Sequence, residues 1–223
     1  MSERARGGPI VFYFDYLSPY AYLAWTQIHA LAERQGRTVE PVPVLFAALL
    51  DANGQKGPAE IPSKRVYVFK DALRSARRLG VPLAPPPAHP YNPLLALRVS
   101  SMPMEPAQRR ALIDGLFAGA WGGAGGVTDR AHVAAIASRA GLDGARLVED
   151  VQQPESKERV RRQTEEALAR GVFGIPTMFV DGELFWGLDS FGHLERFLGG
   201  EDPVDLAQLA QWAELPAQAT RRS

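Results

Sequence analysis

Ser18 and Pro19 stand between an apolar run and an amphipathic one. Serine is a preferred helix cap and proline suits the first helical position, so a helix starts here. A helix N-terminus carries unpaired N–H groups and a partial positive charge, which favour an anion. A hydroxyl at that place is either an ordinary cap or a donor to a bound thiolate. The thiolate is the form a thiol needs for nucleophilic addition at neutral pH. The chain has no cysteine, hence no thiol of its own to act as nucleophile.

A second candidate is Ile175-Pro176, set in Gly171-Val172-Phe173-Gly174-Ile175-Pro176-Thr177. A proline framed by glycines at the mouth of a strand is either a plain strand-edge residue or a cis bond that exposes backbone to a ligand. Asp189 reads as the N-cap of a helix over 190–198. Asn53 shapes a turn beside Gly54, and Lys64 is a solvated helix residue near Pro62. Lys56 is a further cation in the same stretch. Tyr16 and Tyr20 flank Ser18 and can line an aromatic site. His29, His89, His132 and His193 show no metal-ligand spacing and read as structural or surface residues. The glycine run 122–126 lacks both a preceding strand and a following Lys-Ser/Thr, so it reads as a joint, not a phosphate loop.

These residues need elements to position them. Pro9 to Phe14 is a short continuous apolar run, the pattern of a strand buried on both faces. The helix after Ser18 runs to about Gln35, with Ala21, Ala24, Trp25, Ile28, Leu31 and Ala32 on one face and Gly36 ending it. Thr38 to Val44 is a strand that Pro41 and Pro43 confine to an edge. This is β-α-β with a right-handed crossover. Helical patterns fill most of 46–170, broken by a five-proline connector over 84–93. Thr177 to Val180 and Glu183 to Trp186 flank Asp181-Gly182, a two-residue hairpin signal. A weak helix over 203–215 and a polar tail from Pro216 close the chain.

At 223 residues, 46% of them apolar, the chain can bury a sizeable core. Its formal net charge of +0 gives no reason to expect nucleic acid or an anionic membrane as partner. No apolar run approaches the ~20 residues of a membrane span. The start, Met1 to Gly8, lacks the apolar stretch of a signal peptide. The expectation is a soluble, cytoplasmic protein. The lack of cysteine excludes disulfides, CxxC redox chemistry and thiolate zinc sites.

The order β-α-β, helical insertion, β-β-α, with a proline before the third strand, is a thioredoxin-like fold in the α/β class with a large inserted helical domain, as in DsbA. The expected division is 9–45 with 171–200 as the thioredoxin-like domain, 46–170 as the inserted helices, and 201–223 as C-terminal helix and tail. Phe12-Tyr13-Phe14-Asp15-Tyr16-Leu17-Ser18-Pro19-Tyr20-Ala21-Tyr22-Leu23-Ala24 is similar to the opening of the 2-hydroxychromene-2-carboxylate isomerases. These in turn resemble kappa-class glutathione transferases. The Gly171–Thr177 stretch and Phe185-Trp186-Gly187-Leu188-Asp189 resemble the family's closing motifs. Gln55-Lys56-Gly57-Pro58-Ala59-Glu60-Ile61-Pro62-Ser63-Lys64 resembles its middle segment.

The resemblance covers about residues 9 to 200 and implies a set of roles. Glutathione is the cofactor and a small aromatic carboxylate the substrate. Ser18 stabilises the glutathione thiolate. Ile175, before a cis Pro176, pairs its backbone with the cysteine portion, and Asp189 meets the γ-glutamyl end. Lys64 meets the glycine carboxylate, and Asn53 holds substrate or thiol. The family has Gly-X-Asp-Arg where this chain has Gly187-Leu188-Asp189-Ser190, so the ion pair of that arginine is missing. The resemblance implies a homodimer. A kappa-like transferase and a non-catalytic glutathione-binding protein are the other readings. A DsbA-like oxidoreductase is disfavoured by the missing cysteines.

Overall fold

A computed structural model describes residues 7–216; residues 1–6 and, of the tail expected from Pro216, residues 217–223 lie outside them. Strand β1 (Ile10–Phe14) leads to helix α1 (Pro19–Arg34) and strand β2 (Val39–Pro43). Helices α2 (Phe46–Ala52), α3 (Pro62–Leu79), α4 (Leu94–Ser101), α5 (Pro106–Trp121), α6 (Arg130–Arg139), α7 (Gly144–Asp150) and α8 (Pro154–Ala169) follow. The chain then forms strands β3 (Thr177–Val180) and β4 (Glu183–Trp186), and helices α9 (Phe191–Leu198) and α10 (Leu206–Ala213). No helix among the described residues is long and apolar enough to cross a membrane.

The four strands form one sheet in the order β2-β1-β3-β4. β1 pairs parallel with β2 and antiparallel with β3, and β3 pairs antiparallel with β4. The two prolines of β2 therefore sit on an edge strand, where a missing N–H is tolerated. Val180 pairs with Glu183 across Asp181-Gly182, whose φ values of 51° and 91° are both positive. That is the mirror-image turn whose twist matches the strands. Arg37, two residues before β2, donates to the Asp181 carboxylate and ties the hairpin tip to the opposite edge.

Alternation along β1 sends its side chains to two cores. Phe12 and Phe14 face α1 and the helical insertion, whereas Tyr13 faces the smaller core of α2, α8 and Ile175. The larger core is continuous from sheet to helices. Phe117 of α5 packs its ring against Phe14, Tyr16, Tyr22 and Trp25, with centroids 4.7–6.2 Å apart. Phe117→Ala empties a fully buried position, and such truncations cost about 3–5 kcal/mol. The helices thus carry part of the weight of holding the β1–α1 loop, the segment from which Ser18 projects.

Candidate active site

Ser18 has extended backbone and its Oγ accepts from the Ala21 N–H at 3.1 Å, the helix-cap bond expected of it. Accepting that bond uses a lone pair and leaves the hydroxyl proton free. One residue can therefore cap α1 and donate to an anion at the same moment. Ser18 is 8% exposed and lies on the wall of a cleft.

The loop that carries Ser18 is fixed from several sides. The Ser18 N–H donates to the Asp15 carbonyl at 3.2 Å. The Tyr16 carbonyl accepts from the Tyr91 hydroxyl at 2.6 Å and from the Trp121 indole at 2.8 Å. His89 Nε2 lies 3.0 Å from the Leu17 carbonyl, a contact that places the ring proton on Nε2. Burial lowers the pKa of this imidazole below its ordinary value, which favours the neutral ring.

Asp15 lies beneath the same loop and is fully buried. Its carboxyl accepts from the N–H groups of Leu17 and Phe46, each at 3.0 Å. It thereby joins the β1–α1 loop to the start of α2. Desolvation raises its pKa from 3.8 to about 7, against the opposing pull of these hydrogen bonds.

The Ile175-Pro176 peptide facing the cleft is cis, as expected. The Pro176 carbonyl accepts from the Gly187 N–H at 2.9 Å, which sets the turn after β4 against the start of β3. The backbone N–H and C=O of Ile175 have no hydrogen-bond partner among the described residues. Gly174 permits Trp186 to lie across this stretch. A Cβ there would come within 2.6 Å of the indole nitrogen.

Two chambers open from this point, each of about 590 Å³, and they share Tyr20, Ile175 and Trp186. The first is the more polar of the two, with Asp71, Arg74, Arg78, Pro176 and Asp189 on its walls. The second is largely apolar, with Phe46, Leu50, Phe69 and Phe173 beside Ser18, Lys56 and Lys64. Tyr20 donates to the Asp71 carboxylate at 2.8 Å. Burial and that carboxylate hold the phenol well above the usual tyrosine range, so it acts as a donor and not as a base.

Of the expected residues, Ser18, Lys64, Ile175, Pro176 and Asp189 converge on the cleft. Asn53 does not line either chamber. Its amide donates to the Leu49 carbonyl at 2.8 Å and closes α2. Asp189 is not the expected N-cap. It sits in a 3₁₀ turn, Leu188–Ser190, and α9 begins at Phe191 without a side-chain cap bond. This leaves the Asp189 carboxylate exposed on the polar chamber. Tyr16 is fully buried with its hydroxyl 2.6 Å from Ser100, so it belongs to the core and not to the site. Arg74, Arg78, Asp71 and His89 are site residues that the pattern of the sequence did not single out for chemistry. For His89 a signal existed: a histidine before a proline in a connector has no helix or strand to serve.

Residues 9–199 match the DSBA-like thioredoxin domain. A 2-hydroxychromene-2-carboxylate isomerase from Sphingobium xenophagum is 32% identical over 191 residues, which cover 85% of this chain and 97% of the relative. The chain belongs to the 2-hydroxychromene-2-carboxylate isomerase family. A solved structure of a 2-hydroxychromene-2-carboxylate isomerase superposes with a TM-score of 0.79 at 28% identity, covering 93% of this chain and 99% of the other. Human glutathione S-transferase kappa 1 is more distant, 24% identical over 204 residues that cover 85% of this chain and 90% of that protein. That isomerase structure thus shares both the sheet and the helical insertion described above. In this member, which has no cysteine, the hydroxyl of Ser18 stands at the start of α1.

Proposed function

We propose that the chain is a glutathione-dependent isomerase of 2-hydroxychromene-2-carboxylate or a related aromatic-degradation acid. The observation that carries this reading is the Ser18 hydroxyl. It is buried at the N-terminus of α1, has a free proton, and lines the same chamber as Ile175, whose backbone is unpaired among the described residues. Those groups fit a cysteinyl residue bound as an added strand, its sulfur facing the helix start. Lys64 and Lys56 on the same chamber suit carboxylates, and Asp189 suits an ammonium group.

The chemistry that bound glutathione supplies is reversible thiolate addition to the conjugated substrate, which frees rotation about a former double bond. Ser18 donates its proton toward the sulfur and, with the α1 dipole, favours the ionised thiol. The Ile175 N–H and C=O fix the thiol's backbone, which converts an encounter into a positioned attack. Lys56 and Lys64 hold carboxylates, and Phe46, Leu50, Phe69 and Phe173 exclude water from the aromatic ring. The Asp15 pair of hydrogen bonds and the contacts to Tyr16 and Leu17 keep the Ser18 hydroxyl in place.

The test is product analysis on a hydroxychromene carboxylate, with and without glutathione. Isomerisation preserves substrate mass and returns glutathione unchanged. Conjugation adds the mass of glutathione and assigns the chain to the kappa-like transferases. Glutathione binding without turnover on any enone assigns it to the binding proteins. A homodimeric state rests on the family resemblance.

A further inference from the structure

Among the described residues, the exposed large apolar side chains fall in two places. One is α3, where Val66, Tyr67 and Leu73 stand out, with Trp186 of β4 sharing the wall of the polar chamber with Tyr67. The other is the C-terminal segment, with Val204, Leu209, Trp212 and Leu215 in and around α10. Grouped apolar side chains left in water mark contact surfaces. The two places also carry opposite charge. Helix α3 has six basic residues and one acid, Asp71. The C-terminal segment has Glu201, Asp202, Asp205 and Glu214, and no base before Arg221. Neither set forms an ion pair among the described residues.

On α3 the spacing of Val66, Lys70, Leu73 and Arg77 lays them in one stripe. None of the four lines either chamber, so the stripe has no part in holding a ligand there. On α10, Leu209 and Trp212 share a face, and Leu215 follows just past the helix end. Every side chain described from Glu201 to Pro216 is exposed. An eight-residue helix that packs on nothing is marginal in water, so α10 needs a surface. Within one chain the α3 stripe stays exposed although α10 is present, so its occupant comes from elsewhere. We propose that α10 of a second copy of this chain docks on the α3 stripe. Leu209 and Trp212 meet Val66 and Leu73, and Asp205 and Glu214 face Lys70 and Arg77. Both surfaces are present on every copy, so the contact is made twice about a two-fold axis and closes on itself. Tyr67 edges the stripe and lines the polar chamber, so the partner's helix borders that opening. The segment follows residue 199, where the match to the thioredoxin domain ends, and the inference is independent of the ligand.

The test is sedimentation of the full-length protein over a range of concentrations. One variant is Lys70→Glu/Arg77→Glu on α3, and the other is Asp205→Lys/Glu214→Lys around α10. Wild type should sediment as a dimer. Each variant alone sets like charges against each other at both contacts and should dimerise at least tenfold more weakly. An equimolar mixture of the two variants should regain the dimer, because opposite charges then meet at both contacts between unlike copies. Leu209→Ser/Trp212→Ser changes exposed positions only and should weaken the dimer at least tenfold without altering the far-ultraviolet circular dichroism of the fold. A monomeric wild type, or variants that dimerise as tightly as wild type, overturns the proposal. So does a mixture that stays as dissociated as its two components, which means that α10 and α3 do not meet between copies.

Discussion

The two chambers of the cleft share Tyr20, Ile175 and Trp186, yet their other walls differ in kind. The polar chamber is made by one exposed face of α3 and the turn after β4, and its charges are set by side chains that pack little. The apolar chamber gathers Phe46, Leu50, Phe69 and Phe173, and its Ser18 hydroxyl is fixed by a cap and by a loop that is hydrogen-bonded on both sides. The first can recognise; the second can hold a reacting atom still. Recognition by exposed charges tolerates change, while positioning depends on packing and does not.

The largest effect should come from the reacting side. Without glutathione, turnover should stop. Ser18→Ala should cut the rate at neutral pH by roughly tenfold or more, since a unit of thiol pKa is worth about 1.36 kcal/mol. The loss should shrink as pH rises past the ~8.5 of a free thiol, where ionisation needs no help. Rate against pH for both proteins checks this, and an unchanged profile in the variant ends the assignment of Ser18.

The next effect is on stability, from beneath the β1–α1 loop. The Asp15 carboxyl has a folded pKa of about 7 against an ordinary 3.8, so the folded state binds its proton more tightly. The contribution is full below the ordinary value and is lost as pH climbs toward the folded one, by on the order of 1.4 kcal/mol per unit. Above that it stays flat. Urea unfolding at pH 5 and pH 8 should show wild type losing a few kcal/mol relative to Asp15→Asn, with the variant's own slope lacking this component. Parallel pH profiles would falsify the buried, proton-binding description of Asp15.

Asp189→Ala should weaken glutathione binding about tenfold, the lower end for a charge-assisted hydrogen bond, because the carboxylate is exposed. The catalytic rate at saturating glutathione should barely move. A change in the rate and none in affinity would transfer Asp189 from recognition to chemistry. The smallest effect belongs to Asn53→Ala. Its amide closes α2 and faces neither chamber, so glutathione affinity and rate should stay within about twofold of wild type. A larger loss of affinity, measured by the same titration, would return Asn53 to the site.

How much of this was legible in the sequence follows the same division. Features written in neighbouring residues were readable. Ser18-Pro19 gave the cap of α1, Asp181-Gly182 gave the hairpin turn, and the prolines of β2 gave an edge strand. The glycines around Ile175-Pro176 marked the strand mouth. Features that depend on which helix face meets which loop were not readable. Arg74 and Arg78 are ordinary surface residues until α3 is docked beside the β4 turn. Asn53 carried the right chemistry at the wrong rotation, because its place at the end of α2 turns the amide back onto Leu49. Tyr16 alternates inward from β1 while Tyr20, two residues into α1, turns toward the cleft. Asp15 looked like one letter of a motif, and only its burial gives it a distinct task.

The Tyr16 carbonyl has both its lone pairs taken, one by Tyr91 and one by Trp121, and the next carbonyl is met by His89. Three donors from the helical insertion, more than seventy residues away in the chain, thus hold the short turn that presents Ser18. For engineering this makes the turn a composite part. A graft of residues 15–18 into another scaffold carries the serine but loses its mounting, whereas a graft that brings positions 89, 91 and 121 along transfers both.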